Sequence, residues 1–229
     1  MKNNRILYLF IALLTVSLWG CEKEYETVTR VTYFPDITVA GAPVVFSPQN
    51  AAYTDQGAKS TENGKEIETK VVSTVNSSVV GSYSVNYSAV NVDGFSASAS
   101  RKVIIYDPKT NTTDISGNYS GDVMRSGTRG YKGNPVTLTK VDGLNGIYAI
   151  SDWIAGFYDV GSHYKYGPDY RFVGYIQITS DNKVVLLDMA NPWGDPFTSV
   201  VGTYDPATKK INYSAKWLTY TFVVDLVKI

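Results

Sequence analysis

The residues best suited to meeting a ligand lie in two aromatic connections in the second half of the chain. Asp152-Trp153-Ile154-Ala155-Gly156-Phe157-Tyr158-Asp159 runs on into Ser162-His163-Tyr164-Lys165-Tyr166-Gly167-Pro168-Asp169-Tyr170. Asn191-Pro192-Trp193-Gly194-Asp195-Pro196 is the second. Flat rings can stack on the apolar C–H faces of sugars, and interleaved Asp, Asn and Lys can bond their hydroxyls. Apolar walls with a few placed polar groups are the common form of a small-ligand site. The candidate ligand-binding residues are therefore Trp153, Tyr158, Tyr164, Tyr166, Trp193 and Asp195. The plainer alternative is that these aromatics cap the end of a small barrel, with Trp193 as a plug. Trp217 closes the alternation Ile211, Tyr213, Ala215 and reads as core.

Catalytic chemistry finds little purchase. His163 is the single histidine, it stands in a loop-like segment, and no G-x-S-x-G elbow accompanies it. Asp152, Asp159, Asp169, Asp188 and Asp195 could supply the carboxylate pair of a glycosidase, but no spacing separates an acid from a base. Most of them sit beside Gly, Pro or Asn, where Asp is favoured for backbone reasons. One histidine and one cysteine do not make a usual zinc site. The reading is a non-enzyme without catalytic residues, metal or cofactor. The 21 basic and 21 acidic residues cancel, so no basic excess exists to attract nucleic acid.

Strands must position these groups. Ser82 to Ala89 alternates apolar and polar residues without a break, Asn91-Val92-Asp93-Gly94 makes a turn, and Phe95 to Tyr106 runs back as a hairpin partner. Shorter strands are expected at Thr32–Phe34, Ile37–Val39, Val44–Phe46 and Glu66–Ser73. Together these predict a β-sandwich over residues 31–107. Asp107-Pro108-Lys109-Thr110-Asn111-Thr112-Thr113-Asp114 has the composition of a short exposed linker, residues 108–114. Residues 115–229 then hold eight strands separated by turn signals such as Asp142-Gly143 and Ser180-Asp181-Asn182. Short links between sequential strands imply an antiparallel meander that closes, or nearly closes, into a small barrel. The predicted class is all-β.

Cys21, the only cysteine, ends an N-terminal stretch with Lys2 and Arg5 before the apolar run Ile6–Leu18. Leu18-Trp19-Gly20-Cys21 resembles the lipobox of bacterial lipoproteins, with Trp19 departing from the residue usual before the glycine. The resemblance implies a signal peptide over residues 1–20, lipid attachment on Cys21 and a membrane as partner. Several acyl chains on one residue give stable anchoring. Residues 21–30 form an acidic tether, Glu22-Lys23-Glu24-Tyr25-Glu26, similar to the export signal of Bacteroidetes surface lipoproteins. It implies an outer-membrane lipoprotein facing the cell surface.

Further resemblances cover the rest. Tyr53-Thr54-Asp55-Gln56-Gly57-Ala58 is similar to the Y-x-D-x-G-A element of bacterial Ig-like domains, and Val80 to Ala89 to their G-x-Y-x-V-x-Y-x-A strand. The whole chain resembles Bacteroidetes outer-membrane lipoproteins that pair an Ig-like domain with a calycin-like or lipocalin-like C-terminal domain. Such proteins often accompany glycan-uptake machinery. That implies a non-catalytic glycan-binding component whose partners are an oligosaccharide or polysaccharide and outer-membrane transporter proteins. A structural or adhesive lipoprotein with a protein partner, and a lipocalin-type carrier of an apolar molecule, are the alternatives. The lipid claim has a direct test. Cys21→Ser is expected to move the protein out of the membrane fraction, and retention of that variant would refute the anchor.

Overall fold

The computed structural model describes residues 31–229, so the expected signal peptide, Cys21 and the expected tether lie outside the described residues. Seven strands make two sheets in the first half. They are β1 (Pro35–Val39), β2 (Val44–Pro48), β3 (Ala58–Glu62), β4 (Lys65–Ile67), β5 (Lys70–Ser73), β6 (Gly81–Val90) and β7 (Ser96–Tyr106). One sheet has the order β1-β3-β4 and the other β2-β7-β6-β5. The sequence pattern locates the β6–β7 hairpin, but it misses β3 and makes one strand of Glu66–Ser73. That stretch divides between the two sheets, as β4 and β5. Thr32–Phe34 is not a strand.

Between the sheets, Val85, Tyr87, Val103 and Ile105 are buried. Among them lies a polar hub. Asp55 accepts hydrogen bonds from Tyr87 Oη (2.6 Å), Tyr53 Oη (2.8 Å) and Gly57 N (2.8 Å), and it pairs with Arg101. Arg101 is 1% exposed, and its remaining donors reach the carbonyls of Ala42 and Ala40. Burial would raise the Asp55 carboxyl, but bonds from Tyr87, Tyr53, Gly57 and Arg101 outweigh it and hold it below the usual range. The Y-x-D-x-G-A element is thus structural. It places an anion where a buried guanidinium needs one, and Gly57 supplies the left-handed turn (φ 78°) that aims its N–H at that anion.

The second half is one eight-stranded sheet. Its strands are β8 (Gly117–Arg125), β9 (Arg129–Lys140), β10 (Ile147–Ile150), β11 (Val173–Ile178), β12 (Val184–Ala190), β13 (Phe197–Asp205), β14 (Lys210–Trp217) and β15 (Tyr220–Lys228). All pairings are antiparallel, and the first and last strands pair with each other. The order is therefore β12-β11-β10-β9-β8-β15-β14-β13, with the seam between β12 and β13. A bridge between Lys183 and Thr203, and a 2.8 Å bond from Tyr204 N to Asn182 O, tie that seam at one end. The result is an all-β, nearly closed barrel.

The segment expected to be an exposed linker is fastened to the barrel. Gln177 is fully buried and exchanges two hydrogen bonds with the Asp107 backbone, at 2.6 and 3.1 Å. Asn111 N donates to Ile178 O (2.9 Å), and Ser180 N to Lys109 O (2.9 Å). The outer face of the β2–β7 sheet adds apolar contact. Ile104, Ile147 and Leu187 are buried together, and Phe46 meets Tyr175 edge-on. Lys102 reaches the mostly buried Asp188 at 2.6 Å. Pro108, Lys109 and Thr112–Asp114 are exposed, as the composition suggests, while the backbone of the segment is hydrogen-bonded to the barrel.

Replacing Asp55 with Ala leaves Arg101 buried and unpaired, a change that costs about 3–5 kcal/mol. Urea unfolding should show a loss of that size, against near-neutrality for exposed Asp36→Ala. A loss for Asp55→Ala below about 1 kcal/mol would show that the hub is not what holds the sandwich.

Candidate functional site

Strand register sorts the barrel's loops to two ends. The Asp107–Asp114 segment, the turns at Asp142–Asn145 and Ser180–Asn182, and the chain end share one. The opposite end carries the β8–β9 turn, the long β10–β11 connection, the Asn191–Pro196 loop and the β14–β15 turn. Every candidate from the sequence falls at this second end.

The β10–β11 connection does not stay on the surface. Asp152 through Asp159 are all buried, and they dip into the barrel as an irregular plug. Backbone in such a place needs internal partners. Asp152 provides them, its carboxylate accepting N–H bonds from Ile154 (3.0 Å), Gly156 (2.9 Å) and Phe172 (3.2 Å). Asn134 Nδ2 donates to Ala155 O (2.7 Å), and Tyr213 Oη to Trp153 O (2.6 Å). Ala155 takes a left-handed conformation (φ 45°), directly before Gly156 (φ 71°). A side chain on Gly121 would strike Ala155 Cβ, so the wall opposite the plug is bare there. Trp153, Phe157, Phe172, Phe222, Tyr119 and Tyr148 fill the remaining interior. An apolar-ligand carrier needs room inside, and these side chains take it.

The candidates divide by depth. Trp153 is fully buried, donates its indole N–H to Asp188 O (3.3 Å), and packs edge-on against Tyr213 and Phe197. It is core, and the expectation that it meets a ligand is corrected. The plug needs a large ring at that position more than the surface does. Tyr158 is 5% exposed and sits as a floor, with Tyr164 (4.9 Å), Trp193 (5.0 Å) and Tyr166 (6.3 Å, parallel) around it. Tyr166 and Trp193 are 50% and 43% exposed. Tyr170, which sequence reasoning did not single out, joins them, 4.9 Å from Tyr166 and 5.5 Å from Trp193. Trp217 has the buried position expected and also backs Trp193 at 5.4 Å.

Local hydrogen bonding presents Trp193. Asn191 Oδ1 accepts from Trp193 N (2.9 Å) and Gly194 N (3.0 Å), while Asn191 Nδ2 reaches Asp195 O (2.6 Å). Trp217 Nε1 donates to the same Asp195 carbonyl (3.0 Å). Asp195 thus fastens the loop through its backbone, and its half-buried carboxylate has no ion-pair partner among the described residues.

On the far side of Tyr158, the β8–β9 turn contributes Arg125 and Arg129. Arg125 Nη1 donates to Tyr158 Oη (3.2 Å), and Arg129 Nη1 to Tyr164 Oη (3.1 Å). Sequence reasoning missed both, because the start of β9, Arg129-Gly130-Tyr131-Lys132-Gly133-Asn134, gives no clear strand signal. Arg-Ser-Gly-Thr-Arg, with Ser126 and Gly127 at positive φ, was the available signal.

Residues 107–228 match the family model for the C-terminal domain of BT2262-like proteins, more than half of the chain. The chain belongs to that family. Residues 37–105 match a bacterial surface protein Ig-like domain. Among solved structures, the lipoprotein BT2262 from Bacteroides thetaiotaomicron is 24% identical, with 85% of this chain and 100% of that chain covered, at a TM-score of 0.45. A Clostridium perfringens ZmpB structure, described as CBM51-2 in complex with GlcNAc and INT domains, is 12% identical, with 84% and 43% covered, at 0.30. Neither likeness is close enough to carry a functional argument. No curated protein matches the chain.

Within this family member the carboxylates weighed for catalysis are largely engaged. Asp152 holds the plug, Asp159 pairs with Arg171 (2.5 Å), and Asp188 pairs with Lys102. Burial pushes the Asp152 carboxyl up to about 7. The N–H bonds from Ile154, Phe172 and Gly156 oppose that rise, and Asp159 adds slightly to it. In the unfolded chain it returns to the ordinary 3.8. Between these values the folded state binds the extra proton, so the stabilisation is whole below about pH 4, declines as pH rises, and is gone above about pH 7. The span corresponds to about 4 kcal/mol. Asp152→Asn removes the titration. The stability difference between wild type and this variant should therefore shrink by a few kcal/mol from about pH 4 to about pH 8. A difference that does not change with pH would show that Asp152 does not titrate with folding.

Proposed function

We propose that this protein is a non-catalytic, surface-facing lipoprotein that binds a glycan on the aromatic end of its barrel. Lipid on Cys21 would hold it at the outer membrane. The Ig-like domain would carry the barrel, and bound glycan would pass to an outer-membrane transporter. The observation that carries the reading is the exposed ring face. Tyr166, Trp193 and Tyr220 are each more than one-third exposed, and half-buried Tyr164 and Tyr170 lie among them. Solvent-facing aromatics in such number are costly to keep exposed unless something covers them. Rings set at varied angles around Tyr158 suit the puckered C–H faces of sugars. The hydroxyls of Tyr166, Tyr170 and Tyr220 make no hydrogen bond within the described residues, so they are free for a ligand.

The matching family models describe no enzymatic domain, and the engagement of Asp152, Asp159 and Asp188 in packing and ion pairs supports the non-catalytic part. A second reading, adhesion to a protein partner, draws on β5. It is an edge strand with Val71 and Val72 both about half exposed, and such edges recruit further strands.

A polysaccharide panel followed by tryptophan fluorescence tests the first reading. A binding glycan should change the emission of Trp193. Trp193→Ala and Tyr166→Ala should each weaken binding by roughly five- to tenfold, the worth of one stacked ring of about 1 kcal/mol. Full affinity in both variants would remove the ring face from the site. A folded protein that binds no glycan would leave the adhesive reading in its place.

A further inference from the structure

Arg125 and Arg129 stand directly opposite each other in the β8–β9 ladder. Directly opposed residues of an antiparallel pair project from the same face, and like charges there repel. Nothing nearby neutralises them: among the described residues neither arginine has a carboxylate within ion-pair distance. Arg125 is only partly exposed, and its Nε is buried without any hydrogen-bond partner. Its guanidinium lies 4.5 Å from the Tyr220 ring centre, 4.9 Å from Phe157 and 5.6 Å from Tyr164. Arg129 lies 5.4 Å over the other side of that network, against Tyr164. Cation–π contact holds the two groups in place, but it leaves most of their N–H donors unused. Two oriented guanidinium forks with spare donors are suited to a planar or tetrahedral oxyanion.

We propose that Arg125 and Arg129 form the anion subsite of the aromatic barrel end, so that the ligand is an acidic saccharide bearing a carboxylate or sulfate. The inference rests on the glycan-binding reading and names the ligand's class. Polarity across the site agrees with it. Tyr158 sits between the two halves, bonded to Arg125 on one side and packed on Trp193 on the other. Asp195 belongs to the Trp193 half. An acidic ring would lie over Tyr164 and Tyr220 with its anion on the arginines, and a neutral neighbouring ring would stack on Trp193 with its hydroxyls towards Asp195.

The test uses the whole lipid-free protein and matched probes that differ in charge alone: oligogalacturonate against its methyl ester, and dextran sulfate against dextran. The expected result is binding of at least one acidic probe at least tenfold tighter than its neutral partner, weakening as salt rises. Arg129→Gln should remove most of that preference, and Arg129→Lys should restore part of it. Arg125→Gln is tested beside them, with thermal unfolding to verify folding, because Arg125 is the more deeply packed. Equal binding of neutral and acidic partners would overturn the subsite while leaving glycan binding intact. Binding of none of the four probes, with another neutral glycan bound, would do the same. Failure of every glycan would remove both. Equal capture of polyglutamate and single-stranded DNA would show attraction to charge alone and overturn saccharide recognition.

Discussion

One buried carboxylate organises the barrel half of this molecule. Asp152 accepts from two backbone N–H groups of the plug, Ile154 and Gly156, and from Phe172 beside it, and without it those buried donors would have no partner. An unsatisfied buried donor costs about 1–3 kcal/mol, so three could not be left bare in a domain of marginal stability. The plug in turn places Trp153 and Phe157 inside the barrel and Tyr158 at its rim. The aromatic end is therefore the outer face of the core. Its rings rest on rings that the plug holds, so connecting segments present them from a packed base.

The Ig-like half uses the same device with the charges reversed. There a buried cation, Arg101, is met by Asp55 and two carbonyls, and Asp55 in turn accepts from two tyrosine hydroxyls. Strand β7 carries that hub and the interface to the barrel at once. Arg101, Val103 and Ile105 face the sandwich, while Lys102, Ile104 and Tyr106 face β10–β12. A strand covered on both sides loses its alternation. That explains the unbroken Val103-Ile104-Ile105 run, which contrasts with the strict alternation of β6, whose outer positions stay wet.

How legible this was from residues alone follows from these constraints. The eight barrel strands and the β6–β7 hairpin could be read because period-two patterns and turn residues are local signals. The split of Glu66–Ser73 into two sheets could not, since it depends on which partner each residue finds. The aromatic site was half legible. Tyr158, Tyr164, Tyr166 and Trp193 come together as their loop placement suggests. Composition does not separate Trp153 from Trp193, because the two differ only in which side of the plug they occupy. The arginines were hidden by register. Arg125 and Arg129 become a pair only when a three-residue turn sets them opposite one another, and the Gly- and Lys-rich start of β9 gives no strand signal of its own.

That asymmetry between rings and arginines bears on what the site is for. Aromatic residues at a barrel end could be explained by capping alone, since they exclude water from Trp217 and Phe172 beneath. Two opposed guanidinium groups have no such excuse. They add repulsion to a hairpin, leave a donor buried without an acceptor, and gain from their aromatic neighbours only part of what a carboxylate would supply. Elsewhere among the described residues Arg101, Lys102 and Arg171 each pair with an aspartate. Arg125 and Arg129 instead face each other beside the rings of the barrel end, which leaves an unmet electrostatic demand there. An anionic group from outside the chain is the simplest thing that meets it.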